Sequence, residues 1–189
     1  MKKILFTAIL LTASSLFAAS YKDACRVLQA EKTISGDFIQ KRTIASNGRS
    51  LKSSGIFTVT PDEIIWETKK PVKNTVTVTK GKIIQTDSRG KSSELDGSEN
   101  QVFMMISKMI SCLFSGNKEE IEEYFDINFS SQDSSQDWNM ILYPKDSTIA
   151  QGIESLSLKG NLDFLNSMET TLKSRDSITY EFYNQKTQD

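Results

Sequence analysis

Apolar and polar side chains exchange at every second position over much of this chain. Leu51, Ser53, Gly55, Phe57 and Val59 form one such row, and Ile64 and Trp66 begin another after the Pro61-Asp62 turn. The cleanest row is Val72, Asn74, Val76 and Val78, interleaved with Lys73, Thr75, Thr77 and Thr79. Period two marks strands with one buried face. Lys80-Gly81 separates the last row from Ile83-Ile84-Gln85-Thr86, which predicts a tight hairpin. Pro71 falls between two rows, where its missing N–H costs no ladder bond. Residues 88–91 read as a polar turn. The alternation returns at Ile127 and Phe129, at Trp138, Met140 and Leu142, at Leu156 and Leu158, and at Ile178, Tyr180 and Phe182.

Helical spacing governs three other stretches. Ala24, Val27, Leu28 and Glu31 predict a helix over 21–32. Residues 102–114 hold Phe103, Met104, Met105, Met109, Ile110, Leu113 and Phe114, an apolar face too broad for an exposed helix. Asn117 followed by Glu120 resembles a capping box opening a short helix that runs to Tyr124. The order is therefore helix, about five strands, one or two helices, then about five strands. An α+β domain follows, an antiparallel sheet with helices packed on one face. No internal repeat or linker divides it.

The N-terminus adds a destination. Lys2 and Lys3 precede an apolar run over 4–17 and then Ala18-Ala19-Ser20, the layout of a cleavable export signal. Cleavage after Ser20 places Ala18 at the −3 position, with cleavage after Ala18 or Ala19 as alternatives. The run is shorter than the ~20 residues of a membrane span, and 102–114 is shorter still and carries Lys108. Residues 21–189 then form a single domain, large enough for a sizeable core.

Charge and chemistry mostly exclude. Without residues 1–20 the chain has 21 basic against 24 acidic residues. That balance leaves no nucleic-acid footprint and argues against binding an anionic membrane. There is no histidine, which removes the commonest general base and metal ligand. Glu119, Glu120, Glu122 and Glu123 read as a solvated helix face. No catalytic, metal or cofactor site is expected, and the protein is not read as an enzyme. Cys25 and Cys112 either pair in an oxidising compartment or stand as two buried, inert thiols.

The positive signal is apolar. Phe38, Phe57, Val59, Ile64, Trp66, Val76 and Val78 would share one sheet face, with the Met-bearing helix above it. Methionine suits surfaces that re-pack around variable ligands, and the same pattern also serves a filled core. Residues 36–87 sharpen this. Phe38-Ile39-Gln40, then Ser53-Ser54-Gly55-Ile56-Phe57, Pro61, Ile64-Ile65-Trp66, Pro71 and Lys80-Gly81-Lys82 follow in an order that resembles the LolA-type outer-membrane lipoprotein carriers, in their divergent branch.

That resemblance implies an unclosed antiparallel half-barrel of about ten to eleven strands, with helices as a lid over an apolar cavity. It implies a periplasmic, non-enzymatic carrier that shields the acyl chains of lipoproteins or related lipids. Such a carrier takes its cargo from an inner-membrane release complex and gives it to an outer-membrane acceptor, working as a monomer. The seven sheet residues would line the cavity, and Phe103, Met104, Met105, Met109, Ile110, Leu113 and Phe114 would belong to the lid. A Cys25–Cys112 bridge would tie the first helix to that lid. Thr60 departs from the family's pattern, which has a basic residue just before the first proline that matters for release. Two other readings fit the same scaffold: a periplasmic adaptor domain with a filled interior, and a glycolipid or lipid carrier serving a membrane transporter.

Overall fold

A computed structural model describes residues 18–29, 31–79, 82–96, 109–110, 112–131 and 136–188. Residues 1–17 of the export-signal reading, the Lys80-Gly81 turn, and Phe103, Met104 and Met105 of the proposed lid lie outside the described residues.

The first helix, α1 (Tyr21–Leu28), is fixed at its start by Ser20. The Ser20 hydroxyl accepts the Asp23 amide at 3.2 Å, and the Asp23 carboxylate accepts the Ser20 amide at 3.0 Å. Both orphan donors are thereby satisfied. The helix is shorter than its periodicity predicts. Strand β1 (Thr33–Thr43) begins only five residues later, and its pairings draw the chain into extended form.

Five more strands follow as a meander: β2 (Ser50–Val59), β3 (Glu63–Lys70), β4 (Asn74–Thr79), β5 (Lys82–Thr86) and β6 (Ser92–Asp96). Thr79 pairs with Lys82, the register of a two-residue connection. Residues 109–110 and 112–114 are helical. Helix α2 (Lys118–Tyr124) is capped by Asn117, whose side chain accepts the Glu120 amide. The second meander is β7 (Phe125–Ser131), β8 (Trp138–Pro144), the single turn α3 (Ser147–Ala150), β9 (Ile153–Gly160), β10 (Leu165–Leu172) and β11 (Ser177–Gln188).

The two meanders join through one long-range pairing. Strand β11 lies beside β1, which gives a single antiparallel sheet of eleven strands in the order β6-β5-β4-β3-β2-β1-β11-β10-β9-β8-β7. Its terminal strands β6 and β7 do not pair with each other, so the sheet stays open. Gly55 sits at a register shift between β2 and β3, where a Cβ would lie 1.9 Å from the Glu67 carbonyl oxygen. No other residue permits that approach of the two backbones.

The apolar residues divide into two clusters. One is closely filled: α1, the helical residues at 109–114 and α2 cover β7 to β9 around Phe125, Met140, Leu142 and Leu156. The other lies on β1 to β5 and β11 and is built around Phe38, Phe57, Ile64 and Phe182. Ile110, Phe114, Leu165 and Met168 touch both.

Candidate functional site

The register of the first meander brings the sequence-predicted wall together. Ile64 lies opposite both Val59 and Val78, and Trp66 opposite both Phe57 and Val76. Phe38, one strand further, packs edge-on to Trp66 with ring centroids 6.2 Å apart. Phe38, Phe57, Val59, Ile64 and Val78 are buried, while Trp66 and Val76 are half-buried against them.

Two wall residues escaped the sequence reading. Tyr180 and Phe182 of β11 stack nearly parallel, Phe182 reaches Phe57 at 5.2 Å, and Tyr180 reaches Trp66 at 5.6 Å. Their alternation was visible, but period two cannot say that the last strand lies beside the first. Offset and edge-on aromatic pairs each add about 0.5–1.5 kcal/mol beyond area burial.

A polar belt closes the wall on one side. Gln40 donates to the Tyr180 hydroxyl at 3.0 Å and accepts from the Ser53 hydroxyl at 2.6 Å. Three adjacent strands, β2, β1 and β11, are thus joined by one side chain, which accounts for the glutamine of Phe38-Ile39-Gln40 and for the first serine before Gly55. Burial pushes the Tyr180 phenol up to about 12, so it stays neutral inside the apolar wall. The Trp66 indole nitrogen is shielded from solvent and has no hydrogen-bond partner among the described residues.

The helical residues at 109–114 do not face one way. Met109, Cys112 and Leu113 are buried in the filled cluster with α1 and β7 to β9. Ile110 and Phe114 turn toward the aromatic wall as well. Between Phe114 and the wall lies a recess of about 40 Å³, bordered by Leu28, Ile34, Phe57, Trp66 and Phe182. Next to it is a cleft of about 680 Å³, apolar at Ile64, Val78, Ile110 and Phe114 and acidic at Glu31, Asp62, Glu63 and Glu120. Thr60 is on the rim of this cleft, and its hydroxyl is engaged in the β2–β3 turn, accepting the amides of Asp62 and Glu63. A neutral, turn-forming side chain therefore stands where the resemblance places a cation.

Cys25 and Cys112 are both buried in the filled cluster and are not bridged to each other, and the Cys112 thiol donates to the Glu120 carbonyl at 3.6 Å. Burial, foremost, pushes the Cys25 thiol up, and the same cause raises the neighbouring Tyr21 phenol. Neither favours thiolate chemistry. Among the described residues no group of acids or cysteines is arranged to hold a metal ion, and no helix is long and apolar enough to cross a membrane.

The family model described as outer membrane lipoprotein carrier protein LolA matches residues 29–189. No curated protein matches. Among solved structures, the chain is similar to a LolA superfamily protein from Nitrosomonas europaea, at 11% identity and a TM-score of 0.47, covering 95% of this chain and 94% of that one. It is also similar to a DUF1329 family protein from Desulfovibrio piger, at 12% identity and a TM-score of 0.48, covering 88% and 91%.

Proposed function

Because the chain belongs to the LolA family of outer membrane lipoprotein carriers, we propose that it carries acylated cargo, lipoproteins or related lipids, in the recess between the aromatic wall and the helical residues at 109–114. The observation that carries this reading is the recess itself, walled by Phe57, Trp66 and Phe182 and continuous in lining with the larger cleft through Phe114. Each methylene left in water costs about 0.8 kcal/mol, so acyl chains in transit need such a cover. The wall supplies it without directional bonds, and no covalent step is required.

As it stands, the recess has room for only about two or three waters. Loading therefore requires Ile110 and Phe114 to leave the wall and acyl chains to take their place. The unpartnered Trp66 N–H gives the cargo one polar contact, since the ester or amide carbonyl at the head of an acyl chain would satisfy it. Release to an outer-membrane acceptor, and loading from an inner-membrane complex, would both proceed at the cleft, with the protein monomeric in the periplasm.

The test is a titration of delipidated protein with an acylated peptide, in a Trp138→Phe background so that Trp66 reports alone. Trp138 is buried in the filled cluster and donates to the Asn161 carbonyl, so it serves only as background signal. A saturable change in Trp66 emission is expected. An unchanged emission with every acylated ligand would sink the carrier reading. The small enclosed volume favours the adaptor reading in that event, and preference for a lipid over an acylated peptide would favour a lipid carrier serving a transporter.

The cap on α1 also bears on the export signal. Ala19 is buried in the filled cluster and Ser20 closes the capping box. Cleavage after Ala18 preserves both, whereas cleavage after Ser20 removes them, and loss of such a cap costs about 1 kcal/mol. The mature N-terminus is expected to be Ala19 by intact mass, and a chain starting at Tyr21 would refute this placement.

A further inference from the structure

The formal net charge of −1 hides a strong asymmetry along the strands. Strand directions alternate, so five connections meet at one end of the sheet: 44–49, 71–73, 87–91, 145–152 and 173–176. The register fixes this, because Thr43 pairs with both Ser50 and Ser177, Ser54 with Lys70, and Thr86 with Ser92. These connections with their flanks (41–52, 69–73, 86–91, 144–153 and 173–177) hold twelve lysines and arginines but three carboxylates.

All three carboxylates are engaged, Asp146 by accepting the amides of Thr148 and Ile149. Asp87 accepts the amides of Arg89 and Lys91 and pairs with the Arg89 guanidinium at 3.1 Å. Asp176 accepts the Ala45 amide, which ties the first turn to the last, and pairs with Arg42 at 3.5 Å. Arg49, Lys52, Lys70, Lys73 and Lys91 are exposed and make no ion pair among the described residues.

A second observation falls on the same end. Val72 and Leu51, at 62% and 60% exposure, are the two most exposed large hydrophobic residues described. Val72 stands between Lys70 and Lys73, and Leu51 between Arg49 and Lys52. Apolar side chains at the tips of a cationic surface match a phospholipid boundary, where phosphates meet the cations and acyl chains receive the tips. An acidic protein would satisfy the cations alone.

We propose that this end of the sheet is a peripheral docking surface for an anionic phospholipid bilayer. It lies opposite the acidic cleft, which is at the β2–β3 turn. Strand β2 has ten residues and spans about 33 Å, roughly four Debye lengths at physiological salt. The bilayer therefore senses the cationic end without the acidic one, and the expectation drawn from total charge gives way to a local field. Docked in this way, the protein holds its cleft away from the membrane surface.

Sedimentation with vesicles tests this independently of the carrier reading. The protein is expected to co-sediment with phosphatidylcholine vesicles containing phosphatidylglycerol, not with phosphatidylcholine alone, and to be released by salt. Each cation contributes about fivefold, so Lys70→Glu with Lys73→Glu should weaken partitioning at least about 25-fold. Val72→Ser should weaken it at all salt concentrations. Acylated-peptide uptake should be unchanged in these variants, so loss of uptake with vesicle binding intact would overturn only the carrier reading. Equal partitioning to both vesicle types, an unaffected double variant, or binding of polyglutamate but not vesicles would overturn the proposal.

Discussion

Phe114→Asp is expected to weaken binding of an acylated peptide by about a hundredfold while the protein still folds. Phe114 stands where the two apolar clusters meet and borders both the recess and the cleft. Its side chain is only half-buried, so losing its apolar contacts costs the fold on the order of 1–2 kcal/mol. Cargo changes the balance. A carboxylate covered by acyl chains is desolvated without a partner, at several kcal/mol, and about 2.8 kcal/mol already corresponds to a hundredfold in affinity. Phe114→Leu keeps the apolar surface and should keep most of the affinity. Trp66 emission gives the binding curve and circular dichroism the melting temperature. Binding that survives the aspartate would show that cargo does not pass this helix.

The filled cluster should respond in the opposite way. Phe125→Ala is expected to remove about 3–5 kcal/mol of stability, a large share of the ~5–15 kcal/mol typical of a domain. Phe125 is 1% exposed and leads from α2 into β7, so its ring is held from both sides. At about 2–4 °C per kcal/mol for a chain of this length, the melting temperature should fall by roughly 6–20 °C. Phe57→Ala should cost less, because Phe57 already borders the recess and its neighbours have room to settle. If the two alanine variants cost the same, the division into a packed cluster and a yielding one is wrong.

Much of the fold was legible because period two leaves a plain trace. The row at 51–59 became β2, the row at 72–78 became β4 except for Val72, which lies in the exposed turn before it, and the Asn117 cap became the start of α2. Strand β6 left little trace, since Ser92–Asp96 holds one apolar residue at the sheet's edge. Strand β10 spaces Leu165, Met168 and Leu172 unevenly, and its register shifts against β9. The dense apolar stretch at 102–114 read as one lid, yet its described part serves two clusters, Met109 and Leu113 in one and Ile110 and Phe114 against both. Helical periodicity predicts a broad apolar face but not which neighbour each side of it meets.

By itself, the sequence determined most of the local conformations, the face that each regularly alternating strand buries, the lack of histidine chemistry and the family resemblance. All of these depend on neighbours within a few residues or on plain composition. The tertiary structure decided what lies beside what. Pairing β11 with β1 brought Tyr180 to Gln40 across 140 positions and completed the aromatic wall. Alternating strand directions gathered distant lysines and arginines at one end of an almost neutral chain. A strand's period does not name its partner, and a summed charge has no position; contacts and fields are set by distance in space.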